Sequence, residues 1–82
     1  MAKPKGQKVQ VTERALIQRI NRKLAKDMEQ LKTARTESVE RDVGKYFVLD
    51  LNRNAIIETN VDPEELGRKL EVLQAWEEVG ND

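Results

Sequence analysis

The stretch Tyr46–Val61 reads YFVLDLNRNAIIETNV, and it is the only part of the chain where apolar, β-branched and aromatic residues crowd together without a helical period. Two such runs interrupted by Asn52-Arg53-Asn54 predict a β-hairpin. Side chains alternate across a strand, so Phe47, Leu49 and Leu51 share one face of the first strand and Tyr46, Val48 and Asp50 the other. In the second strand Ala55, Ile57, Thr59 and Val61 lie on one side, and Ile56, Glu58 and Asn60 on the other. Both faces of the hairpin are therefore largely apolar. A two-stranded sheet alone is marginal in water, and its open edges invite another strand.

Before the hairpin, Leu16, Ile20, Leu24, Met28 and Leu31 recur at spacings of four, four, four and three, with Ile17 widening the stripe. Thr12 is a candidate N-cap and Glu13 suits the first turn, so one amphipathic helix is predicted over Glu13–Thr33. Its opposite face carries Arg19, Arg22, Lys23 and Lys26, with no aromatic residue among them. The segment Thr33–Gly44, TARTESVERDVG, alternates in charge and reads as a long surface connection with room for a short helical turn; its single glycine and the lack of a Gly-Lys-Ser/Thr combination give no resemblance to a phosphate-binding loop.

After the hairpin, Asp62 at N-cap, Pro63 at N1 and Glu65 at N3 form a capping box, and Val61 and Leu66 a hydrophobic staple. Leu66, Leu70 and Leu73 make the apolar stripe of this second helix, flanked by Val72 and Trp76, with Gly80 as its stop. Gly67 inside the helix costs about 1 kcal/mol relative to alanine, which implies close approach of another element.

These readings give an α+β fold, a single α-β-β-α domain over residues 12–79 in which two amphipathic helices pack on one face of a two-stranded antiparallel hairpin. Residues 1–11 form a disordered basic arm and residues 80–82 a tail. The expected core is Leu16, Ile20, Leu24, Met28, Phe47, Leu49, Ile57, Leu66, Leu70 and Leu73. Helices covering one face leave Tyr46, Val48 and Ile56 over, and with Trp76 these are the expected protein interface.

Composition narrows the chemistry. The 82 residues include no cysteine and no histidine, which removes disulfides, thiolate sites, zinc sites of the usual kinds and Ser-His or Cys-His catalysis. Asp50 and Glu58 are the only carboxylates inside the strands, and no third ligand or base accompanies them, so no catalytic, metal or cofactor site is expected and no small-molecule substrate is evident. The N-terminal MAKPKGQKVQ has no apolar core and no apolar run approaches bilayer length, which predicts a cytoplasmic protein without membrane attachment. Net charge is zero, yet residues 1–36 carry ten Lys/Arg against three Asp/Glu, and residues 37–82 five against twelve. The basic half either faces the acidic half, in the same molecule or a second copy, or faces a polyanion.

RALIQRINRKLAKDMEQLKTAR (Arg14–Arg35) and ETNVDPEELGRKLEVLQAWE (Glu58–Glu77), with a Gly-x-Tyr/Phe strand between them, resemble a group of small uncharacterised bacterial proteins, some encoded on mobile elements. The resemblance implies a bacterial cytoplasmic setting, in which such proteins often bind a host protein or nucleic acid, and it assigns no residue a role.

The sequence therefore points to a small non-catalytic protein-interaction module that self-associates through the hairpin, as a homodimer, or binds a protein partner. The alternative is a nucleic-acid-binding accessory protein using Lys3, Lys5, Lys8, Arg19, Arg22, Lys23 and Lys26.

Overall fold

The helix expected from Glu13 begins there, with the Thr12 hydroxyl accepting the Ala15 N–H at 3.1 Å, but it stops at Leu24. The computed structural model describes residues 9–80. Its elements are β1 (Val9–Thr12), α1 (Glu13–Leu24), β2 (Glu29–Thr33), α2 (Glu37–Val43), β3 (Tyr46–Asp50), β4 (Ala55–Glu58), α3 (Pro63–Lys69) and β5 (Glu77–Gly80), with a 3-10 turn at Ala25–Asp27. The class is α+β. The expected α-β-β-α order is corrected, since three helices and five strands in two sheets replace two helices on one hairpin.

Met28 ends the helical path. It adopts a left-handed conformation, φ 59° and ψ 41°, and turns the chain so that Glu29–Thr33 runs antiparallel to β3 with Leu31 opposite Val48. The physical reason lies in the hairpin itself. A two-stranded sheet is marginal and leaves backbone N–H and C=O groups unpaired along its edges, and β2 pairs those of β3 on the side away from β4. The hairpin's demand for another strand is thus met within the molecule, by residues whose period had read as helix.

The second helix is shortened in the same way. Asp62 caps α3, its Oδ1 accepting the Glu64 N–H at 3.0 Å, and Pro63 occupies the first turn. The helix closes at Lys69, and the N–H groups of Val72 and Leu73 both donate to the Gly67 carbonyl. Glu71, with φ 62°, reverses the chain. Residues 77–80 then pair in parallel with β1, Val79 opposite Val11. β1 begins three residues before the expected domain start, and Met1–Lys8 and the last two residues lie outside the described residues.

The core is built around α1. Leu16 and Ile20 have no exposed surface, and Leu24, Val11, Leu31, Tyr46, Val48 and Leu73 pack with them. Helix α1 touches β1, β2, α3 and β5, so the helix and not the hairpin is the centre. The expected assignment of hairpin faces is reversed. Tyr46 and Val48 are 7% and 2% exposed within the core, whereas Ile57 and Met28, expected inside, are 44% and 46% exposed. Phe47 is buried but outside that cluster. Once β2 joins the sheet, Leu31 opposite Val48 sets which face meets α1.

Candidate functional site

Two surfaces stand out, one on the three-stranded sheet and one along α1. The sheet order β2-β3-β4 leaves β2 and β4 as edges. The β2 edge is closed by Asn21 of α1. Its Oδ1 accepts the Leu31 N–H at 2.7 Å and its Nδ2 donates to the Leu31 carbonyl at 3.3 Å, so the side-chain amide takes the place of a neighbouring strand's peptide. The β4 edge has no such cover. All four residues of Ala55–Glu58 are exposed, with Ile56 and Ile57 both exposed. A bulge between the pairs Val48–Glu58 and Leu49–Ile56 absorbs one extra residue of β4. At the same end of the sheet the Leu51 N–H donates to the Met28 carbonyl at 2.8 Å, and both of these side chains are exposed as well.

The four residues expected to form a protein interface are therefore not brought together. Tyr46 and Val48 are core residues that offer no surface, and Ile56 lies on the open edge. Trp76, 49% exposed, adjoins the other sheet, where its carbonyl accepts the Val9 N–H at 2.8 Å.

The second surface is an open groove of about 380 Å³ lined by Arg19, Arg22, Lys23, Lys26 and Val72. All four cations expected on one helix face line it. Their roles differ. Arg19 Nη1 donates to both carboxylate oxygens of Glu77, at 3.0 and 3.1 Å, and to the Val72 carbonyl at 3.1 Å. Glu77 is 8% exposed and also accepts the Gln74 N–H at 2.9 Å. Arg68 Nη2 donates to the Glu77 carbonyl at 2.9 Å. Arg19 is thus a brace that fastens α1 to the segment entering β5. Arg22, Lys23 and Lys26 are exposed and make no ion pair among the described residues. Lys3, Lys5 and Lys8 lie outside the described residues.

Only one ion pair among the described residues joins the basic and acidic halves of the chain, Arg19–Glu77. The others, Asp50–Arg53 and Glu64–Arg68, are local pairs three and four residues apart. Among the described residues the charge separation seen in the sequence is bridged by that pair alone.

The strand carboxylates do not form a pair. Asp50 Oδ1 accepts the N–H groups of Asn52 and Arg53 at 2.9 and 3.2 Å and shapes the turn, while Glu58 stands opposite Val48 farther along the strand. Among the described residues no group of three or more His, Cys, Asp or Glu side chains is placed to hold a metal ion. No helix of the described residues is long and apolar enough to cross a membrane.

Sequence reasoning missed Asn21. Asn21 follows Ile17 by one turn at the border of the apolar stripe, a faint sign that something polar docks there. Glu77 belongs to the acidic residues that the sequence offers either to solvent or to the basic stripe of α1, and its bond to Arg19 is the second of these. No protein-family model, curated protein or solved structure matches the chain.

Proposed function

We propose that the chain is a non-catalytic protein-interaction module that self-associates by edge-to-edge pairing of β4. One observation carries this reading, the asymmetry of the sheet's edges. Asn21 closes β2, whereas β4 keeps both backbone and isoleucine side chains open. An exposed edge bearing large apolar residues is a template for a further strand, and natural sheets blunt such an edge with lysine, proline, a bulge, short length or a covering element; β4 is short and bulged but has no covering element, lysine or proline.

Antiparallel pairing of β4 with β4 of a second copy is isologous and closes as a dimer, extending one sheet through both molecules. Burial of an isoleucine side chain contributes roughly 1.5–3 kcal/mol when complete, and here Ile56 and Ile57 are already part-covered. The strand has four residues and is bulged, so the ladder is short and the association is of modest affinity. Sedimentation at rising concentration tests this. The wild-type mass is expected to climb towards that of a dimer, and Ile56→Lys and Ile57→Lys are expected to hold the chain as a monomer with far-ultraviolet circular dichroism intact. A wild-type chain that stays monomeric at millimolar concentration overturns the reading.

A further inference from the structure

We propose that the groove along α1 binds the phosphodiester backbone of duplex nucleic acid through Arg22, Lys23 and Lys26, a property that does not depend on pairing through β4. The groove is lined on one side by these three cations, and no carboxylate of the described residues pairs with any of them. The acidic group nearest the site in the bonding pattern is Glu77, and its charge is met by Arg19 and turned inward, at 8% exposure. Arg19 and Glu77 thus offset each other, and Arg22, Lys23 and Lys26 are the lining cations that no described carboxylate pairs with.

The spacing suits a chain of phosphates. Arg22 stands in the last turn of α1 and Lys26 in the 3-10 turn after it, about 7 Å apart along the helical path, a span in which one DNA strand presents roughly two phosphates. Long flexible stems line the groove, and these follow a repeating charge better than they enclose one small anion. No aromatic side chain lines it, so unstacked bases find no platform there and contact falls on the backbone. Val9 stands in register with Glu77, the partner of Arg19, and the eight residues before Val9 carry Lys3, Lys5 and Lys8 and no acidic residue.

The test uses the full chain and a fluorescently labelled duplex of random sequence, with anisotropy read at stepwise salt. Three neutralised phosphates give a slope of log K against log salt of about −2.7, steeper if the N-terminal lysines also engage. The variant Arg22→Gln, Lys23→Gln, Lys26→Gln is expected to weaken binding at low salt at least about tenfold and to flatten the slope by two to three units, with circular dichroism unchanged because all three side chains are exposed. The control Arg35→Gln, Arg41→Gln, Arg53→Gln removes the same charge from exposed positions elsewhere and is expected to leave affinity within about twofold. Absence of binding at the lowest salt overturns the proposal. So does equal weakening by the two triple variants, which would mark a net-charge effect, or tighter binding to vesicles of anionic lipid than to the duplex at matched salt.

Discussion

At the scale of single residues, two glycines hold the packing, for different reasons. Gly44 has φ +87°, and a Cβ there would lie 2.8 Å from the Asn60 Cα, so both conformation and backbone contact reject a side chain. The contact is part of a fixed junction, since the Asn60 N–H donates to the Val43 carbonyl at 2.7 Å. Gly67 is an ordinary helical residue by conformation, and a Cβ there would come within 2.7 Å of Leu16 Cδ1. Leu16 is wholly buried and cannot swing into solvent. Gly67→Ala gains up to about 1 kcal/mol of helix propensity against an overpacking cost of about 1–3 kcal/mol, so net destabilisation of about 1 kcal/mol is expected. Gly44→Ala should cost more, about 2–3 kcal/mol, because the obstacle is main chain as well as backbone conformation. Urea unfolding of both variants gives the order. In a Leu16→Ala background the cost of Gly67→Ala should shrink, a coupling that a double-mutant cycle measures directly.

At the scale of elements, β2 and the side chain that closes its edge decide how many open edges the sheet has. Asn21→Ala leaves the Leu31 N–H and carbonyl without their partner, and a loss of about 1–2 kcal/mol is expected in chemical unfolding. It also opens a second edge, so sedimentation should show species beyond a dimer; a variant that associates no further than wild type would mean that α1 shields β2 without its amide. What the sequence made legible here was local. The caps at Thr12 and Asp62, the stripe Leu16–Ile20–Leu24 and the two hairpin strands are set by neighbours within a turn or two, and each stands where its residues point. The strands β1, β2 and β5 were not legible, because their reasons are long-range. Met28 and Leu31 satisfy a helical period, and a methionine in the left-handed conformation gives none of the punctuation a glycine would. Glu77–Gly80 has two acidic residues and becomes a strand only through pairing with β1 at the other end of the chain. The same division holds for the surfaces. The basic face of Arg19, Arg22, Lys23 and Lys26 follows from helix period, but the groove needs Val72 beside it, and the open β4 edge depends on which hairpin face is buried, which β2 sets.

At the scale of the whole molecule, the extents of 44 × 28 × 16 Å describe a thin body, about one sheet and one helix deep. A core of that depth is small, and association is a common route by which such domains gain stability. Among the described residues, charge is distributed along the same body with little pairing between its halves. Residues 1–36 hold ten Lys/Arg against three Asp/Glu, and Arg19–Glu77 is the one pair among the described residues that links this half to the acidic one. The Arg19 side chain is 41% exposed, so solvent screens part of that attraction. Raising salt from low to high should therefore change unfolding stability by less than about 1 kcal/mol. Circular dichroism during urea titration reads it. Over the same salt range duplex binding through Arg22, Lys23 and Lys26 should fall by orders of magnitude, because counterion release counts every phosphate contact. The two responses belong together. A stability loss of several kcal/mol over that range would mean that the acidic half holds the basic stripe within the fold, and the uncompensated charge on which the groove's affinity depends would then be gone.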